Sequence, residues 1–137
     1  MMRRLRTVFD EIDPSGCMAA ECWSHYARKL LDWHRARAQL EAFVRGWPDH
    51  RRRLAELVAT PESVVGELVK SHHPIHFEDL GVPEEEARWA FRNGYLMRDR
   101  FSIADLLNFI GWLDDAFVDD VFAQMNALVG RHAVLSA

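Results

Sequence analysis

An amphipathic pattern runs through residues 18–45, MAAECWSHYARKLLDWHRARAQLEAFVR. Its apolar side chains recur at spacings of three and four residues, which places them on one face of a helix: Trp23, Tyr26, Leu30, Trp33, Leu40 and Phe43. A turn signal, Asp13-Pro14-Ser15-Gly16, precedes the pattern. Gly46-Trp47-Pro48 ends it, because proline cannot continue the helical hydrogen bonds. The sequence therefore predicts one long helix over 18–45.

A second helix is predicted from Asp49, with Leu54, Leu57 and Val58 on its apolar face and Arg51-Arg52-Arg53 opposite. The arginine cluster has no interleaved aromatic side chains of the kind that stack on nucleic-acid bases. We therefore interpret it as a solvated helix face.

A third helix is indicated by its start signals. Thr60 is a typical N-cap residue, Pro61 suits the first helical position, and Glu62 lies near the positive end of the helix dipole. The apolar pattern then passes through residues 64–69 and stops at Ser71-His72-His73-Pro74.

Three more helices follow with the same kinds of signal. Gly81-Val82-Pro83-Glu84-Glu85-Glu86 starts one of them. Ser102, with Asp105 three residues later, resembles a capping box before a helix over 103–110. A last apolar pattern continues from Phe117 to Gly130.

The fold class predicted from these patterns is all-α, a compact bundle of about six helices joined by short loops. With 137 residues, 49% of them hydrophobic, the chain is long enough for one core. We predict a single domain over 1–137, with a short N-terminal helix or arm over 1–13, the bundle over 14–130 and a tail over 131–137.

Composition narrows the functional classes. The net charge of −4 argues against a broad nucleic-acid surface, and no apolar run approaches the length that spans a bilayer. Acidic residues stand where a signal peptide needs an apolar segment. Cys17 and Cys22 are badly placed for a disulfide on one helix, and we expect both to be small core side chains of a cytoplasmic protein.

A histidine cluster is the most prominent candidate for a metal site. His72, His73 and His76 lie within five residues of one another, and imidazoles bind zinc. Neighbouring residues around Pro74 cannot readily converge on one tetrahedral centre, and there is no HExxH helix. The pattern favours an exposed loop over a metal site.

Other sources of chemistry are weaker. Asp114, Asp115, Asp119 and Asp120 include pairs at helical spacing, which could bind a cation, but acidic residues at a helix start need no such role. The seven glycines are isolated and form no GxGxxG or GxxxxGK motif. The sequence predicts no catalytic and no cofactor-binding residue in this chain.

The segment Arg98-Asp99-Arg100 joins two predicted helices and admits two interpretations. Its arginine forks could hold a carboxylate or phosphate group, or a partner surface. Alternatively, Arg98, Asp99 and Arg100 form an ion-pair network that fastens the helix ends.

Several segments in order resemble the C-terminal helical portion of sn-glycerol-1-phosphate dehydrogenases, which belong to the iron-type alcohol dehydrogenase group with a dehydroquinate synthase-like fold. The resemblance covers roughly residues 9–114 and rests on ECWSHYARKL (21–30), Trp33, WP (47–48), FEDLG (77–81), EEEARWA (84–90) and RDRFSIADLL (98–107). The last segment is similar to the family's RDR-[FY]-[ST] turn before a short apolar helix.

This resemblance implies a domain that forms one side of a cleft in a larger enzyme. Full-length members reduce dihydroxyacetone phosphate with NADH or NADPH, and they hold zinc between a nucleotide-binding domain and the helical domain. The family's nucleotide and zinc residues precede the region matched here. The resemblance therefore implies no cofactor for this chain alone.

Two hypotheses follow from different functional classes. The chain is either the helical domain or a fragment of such an oxidoreductase, or a stand-alone helical binding or dimerisation module without the activity. We expect it to bind a nucleotide-binding partner domain or to self-associate, through apolar surface among Trp23, Trp33, Trp47 and Trp89.

Overall fold

The computed structural model describes the backbone of residues 2–135, and within it every side chain except those of residues 2, 4 and 132–135. Over this range the chain is all-helical, with seven α-helices and no strand. These are α1 (Met2–Phe9), α2 (Cys17–Arg45), α3 (Trp47–Ala55), α4 (Pro61–Lys70), α5 (Glu84–Asn93), α6 (Ile103–Phe109) and α7 (Asp115–Leu135). Two 3₁₀ turns, Glu78–Leu80 and Gly94–Met97, precede and follow α5. The prediction of an all-α chain is confirmed.

Helix α2 begins within one residue of its predicted start and ends where the sequence predicts. Asp13 stabilises the first turn of α2, because its Oδ2 accepts a hydrogen bond of 2.6 Å from the backbone N–H of Met18. Hydrogen bonds from the Ser15 side chain and the Met18 backbone lower the pKa of Asp13.

Helix α3 differs from its prediction at both ends. It starts at Trp47, two residues before Asp49, because Pro48 lies in the first turn, where a missing N–H costs nothing. It stops at Ala55, so Leu57 and Val58 lie beyond it and are exposed. The prediction that Leu57 and Val58 belong to the apolar face of this helix is therefore wrong.

The break between α2 and α3 is stabilised by an aromatic stack. The rings of Phe43 and His50 lie 4.5 Å apart and nearly parallel, at 14°. A Cβ at Gly46 would lie 3.0 Å from Nε2 of His50. Glycine at this break therefore leaves room for the stack as well as ending the long helix.

Contacts divide the chain into two compact units. Unit 1 comprises residues 1–37 and 89–115, and unit 2 comprises residues 38–88 and 116–137. In unit 1 the side chains of Leu5, Phe9 and Tyr26 are almost completely buried. Phe9 packs edge-on against Trp89, with ring centroids 5.9 Å apart.

Unit 2 has its core between α5 and α7. Ala87, Val118 and Phe122 are buried there, and Phe77 and Met125 pack against them. Helix α7 continues to Leu135, beyond the predicted end at Gly130, while Ser136 and Ala137 of the predicted tail lie outside the described residues. No helix in the described range has the length and apolar character needed to cross a membrane.

The tryptophans divide by exposure. Trp23, Trp33 and Trp89 are half-buried, Trp47 is 38% exposed, and Trp112, which was not among those expected at an association surface, is 59% exposed. Cys22 is buried as expected, whereas Cys17 is exposed, and both are free thiols. Burial raises the pKa of the Cys22 thiol, with a smaller contribution from Glu21.

Candidate functional site

The connection between α5 and α6 in unit 1 is the candidate site. After the turn Gly94–Met97 the backbone becomes extended at Arg98 and reaches Ser102, the N-cap of α6. Arg98, Asp99 and Arg100 are exposed, and none of them forms an ion pair or hydrogen bond with another residue that the structure describes. An Arg–Asp network between helix ends is thus not present among the residues that the structure describes, and both guanidinium groups are exposed.

A buried ion pair holds this connection to α2. Nζ of Lys29 lies 2.6 Å from Oδ1 of Asp105, and each side chain is at most 1% exposed. The same ammonium donates a hydrogen bond to the carbonyl oxygen of Tyr95. Removing two charged groups from water costs free energy unless the groups pair with each other and form hydrogen bonds. Lys29 and Asp105 do both.

Asp105 also organises the start of α6. Its Oδ2 accepts hydrogen bonds of 2.8 Å from both the backbone N–H and the hydroxyl of Ser102. The Ser102 oxygen in turn accepts from the backbone N–H of Asp105 at 3.4 Å. The predicted capping box is confirmed. The Asp105 carboxylate thus caps α6 through Ser102 and also pairs with Lys29, which is far away in the sequence.

A second chain of hydrogen bonds lies beside the ion pair. The Tyr95 hydroxyl donates to Oδ1 of Asn108 at 2.9 Å, and Nδ2 of Asn108 donates to the Tyr26 hydroxyl at 3.4 Å. The Lys29 ammonium lies 5.6 Å from the centre of the Tyr95 ring, within the range of a cation–π contact. These bonds connect α2, the turn Gly94–Met97 and α6.

An aromatic stack lies at the other end of α6. Phe109 stacks on Trp33 at 5.0 Å and on Phe101 at 6.0 Å. Phe101 is 39% exposed and follows Arg100 directly. The connection therefore presents an aromatic edge next to its two arginines.

Lys29 is the principal residue of this site that the sequence pattern did not reveal. The buried residues of α2 are Ala19, Cys22, Tyr26 and Lys29, which follow one another at helical spacing. A lysine in register with a buried face was a signal that an acidic partner exists elsewhere in the chain. The pattern did not indicate which acid that is.

The histidine loop lies in unit 2. His72 has a positive φ of 55°, His73 has Nδ1 3.0 Å from the Ser71 hydroxyl, and both are exposed, as is His76. Within the described range, no group of three or more His, Cys, Asp or Glu side chains is placed to hold a metal ion. The side chains that the structure describes therefore form no site for the zinc ion that the resemblance implies for the whole enzyme.

Two of the four clustered aspartates are engaged with arginines. In unit 2, Asp119 accepts a 2.6 Å hydrogen bond from Nη1 of Arg88. In unit 1, Asp115 accepts a 3.4 Å hydrogen bond from Nε of Arg92. These contacts favour a structural role for both carboxylates.

Comparison with known proteins gives no match: no family model, no curated protein and no solved structure is similar to this chain. The family resemblance therefore rests on the sequence segments themselves. The structure shows in which helices and connections those segments lie.

Proposed function

We propose that the chain is the helical domain of an sn-glycerol-1-phosphate dehydrogenase-like oxidoreductase and is not catalytic by itself. In this proposal it supplies scaffold and one wall of the active-site cleft. The nucleotide and zinc sites belong to a partner domain.

The observation that carries the proposal is the contact between two segments of the resemblance. Residues 21–30 and 98–107 are far apart in the sequence, yet they supply Lys29 and Asp105 to one buried ion pair. Residues 98–107 also contain the capping box at the start of α6, which orients the connection between α5 and α6. Segments that share one family pattern are expected to meet if that pattern reflects a common packing arrangement.

Arg98 and Arg100 are the residues we assign to the cleft wall. Both substrates of the family's reaction carry phosphate groups, and guanidinium groups bind phosphate through paired N–H donors. Their exposure and lack of partners among the described residues support this role. The Lys29–Asp105 pair acts through the connection, so both are positioning residues.

The proposal predicts that the purified chain alone binds neither nicotinamide cofactor nor stoichiometric zinc, because the groups for both belong to the partner domain. NADH and NADPH binding is measured by fluorescence titration and zinc by metal analysis. Tight cofactor binding or one zinc per chain would contradict the proposal.

A second candidate function is a stand-alone binding module, which the exposed apolar surface of unit 2 favours. Val64 is 47% exposed and Leu57 is 82% exposed. The reading frame immediately upstream distinguishes the two functions. A Gly-rich βαβ segment there supports the enzyme domain, and an unrelated sequence supports the module.

A further inference from the structure

Helix α3 and the turn after it lie outside the core of unit 2. None of the residues of α3 is buried, and every residue from 51 to 64 is exposed. This stretch contains Leu57, which is 82% exposed, and Val58, which is 61% exposed. Large aliphatic side chains exposed next to one another commonly mark a surface that meets a partner.

The aliphatic side chains at the end of α3 lie within one turn of each other. The backbone N–H groups of Leu57 and Val58 each donate a 2.9 Å hydrogen bond to the carbonyl oxygen of Leu54. Side chains at spacings of three and four residues in such a turn share one side. Trp47 precedes Leu54 by two turns on the same side, and its ring packs edge-on against Phe43 at 5.9 Å. We call Trp47, Leu54, Leu57 and Val58 the α3 edge.

Four exposed arginines accompany the α3 edge: Arg45, Arg51, Arg52 and Arg53. Asp49 and Glu56 are the only acids from residue 45 to residue 58, so four arginines against two acids give this stretch a net charge of +2, in a chain whose net charge is −4. Asp49 pairs with Arg52, whereas Arg53 forms no ion pair or hydrogen bond with any residue that the structure describes. Arg53 precedes Leu57 by four residues, so a positive charge adjoins the most exposed apolar side chain.

We propose that the α3 edge binds the surface of an anionic lipid bilayer. Basic amphipathic helices with tryptophan and leucine on their apolar side lie in the interface between headgroups and acyl chains, and nearby arginines attract anionic lipids. A protein partner would need a shaped pocket for a side chain that projects as far as Leu57, whereas a fluid lipid surface admits it without one. The contact needs no membrane-spanning helix. It concerns unit 2 alone and holds for either proposed function.

Cosedimentation of the chain with phosphatidylcholine vesicles, prepared with and without phosphatidylglycerol, tests this proposal. We expect binding to the vesicles that contain phosphatidylglycerol, and weaker binding at high salt, because salt screens the arginine charges. Arg53→Gln is expected to lower the partition coefficient about fivefold, the effect of one basic residue near an anionic surface. Leu57→Ser is expected to lower it about tenfold, because one aliphatic side chain no longer leaves water.

Matched controls separate the α3 edge from general effects of charge and polarity. Arg35→Gln and Leu31→Ser make the same two changes at exposed positions of α2. Both are expected to bind the anionic vesicles like the wild type, and circular dichroism checks that every variant is folded. A wild-type chain that does not bind these vesicles, or α3-edge variants that match the controls, would overturn the proposal. Binding to polyglutamate without binding to the vesicles would also overturn it and would indicate an acidic protein partner.

Discussion

The side chain of Lys29 is completely buried. A buried ammonium group is costly unless it has a counter-charge and hydrogen-bond acceptors. Asp105 neutralises its charge, and the Tyr95 carbonyl oxygen accepts a hydrogen bond from it. Because Asp105 also caps α6, loss of the lysine would leave a buried carboxylate with hydrogen bonds to Ser102 but no counter-charge. Replacing one member of the pair is therefore expected to destabilise the fold more than replacing both.

We predict that Lys29→Met and Asp105→Asn each lower the free energy of unfolding by about 3–5 kcal/mol, the usual cost of a buried unpaired charge. The double variant loses less than the sum of the two, since neither charge remains. Urea unfolding followed by circular dichroism measures all three.

Lys70→Met is the matched control for that series. Lys70 pairs with Glu67 on the surface, where the two side chains are 74% and 70% exposed. We expect its removal to cost less than about 1 kcal/mol. Additive losses in the buried pair, or losses no larger than this control, would contradict a desolvated ion pair.

Local hydrogen bonds were the residue-scale features that the sequence predicted well. Thr60 accepts from the backbone N–H of Ser63, and Ser102 forms its capping box, as expected from three-residue spacings. The Lys29–Asp105 contact has no such spacing, because tertiary packing alone brings α2 and α6 together.

At the scale of elements, α5 and α7 are joined by polar contacts at the edge of the unit 2 core. Glu84 accepts from Nε of Arg88 at 2.7 Å and from Nδ2 of Asn126 at 3.0 Å. The Arg88 guanidinium also reaches Asp119 and lies 4.7 Å from the centre of the Phe122 ring. One arginine thus links both helices and covers a buried aromatic ring.

These contacts predict an acid-sensitive contribution to stability. The hydrogen bond from Arg88, and then that from Asn126, lower the pKa of Glu84 below its ordinary value of 4.5. A lowered pKa in the folded state gives stability that is present above pH 4.5 and lost as the pH falls through the folded-state pKa. Glu84→Gln should therefore be less stable than wild type at neutral pH, with the difference shrinking in acid.

Urea unfolding of both proteins across this pH range measures the difference, with Glu85→Gln as an exposed control on the same helix turn. The control is expected to show a smaller change with pH. A difference between wild type and Glu84→Gln that does not vary with pH would show that the carboxylate charge is not the cause.

Helix boundaries show the limits of sequence patterns at this scale. The long helix α2 was predicted closely because its periodicity extends over many turns and a Gly-Trp-Pro signal ends it. Helix α3 is short, and its predicted apolar face counted Leu57 and Val58, which follow its end. Tyr95 follows α5 in the turn Gly94–Met97, where its carbonyl oxygen accepts a hydrogen bond from Nζ of Lys29.

For the whole molecule, the sequence predicted the all-α class, and it identified Arg98-Asp99-Arg100 as a connection between two helices without deciding what these residues bind. It did not indicate the two compact units, because each unit is assembled from two separate stretches of chain. The enzymatic role remains our proposal, and it places Arg98 and Arg100 at a cleft that a partner domain completes.

The central claim is tested most directly by the activity of a chimera in which this chain replaces the helical portion of a full-length sn-glycerol-1-phosphate dehydrogenase. We predict NAD(P)H oxidation that depends on dihydroxyacetone phosphate, lowered by Arg98→Gln or Arg100→Gln and unchanged by Arg51→Gln. A folded chimera that binds zinc and nucleotide but does not oxidise NAD(P)H would contradict it.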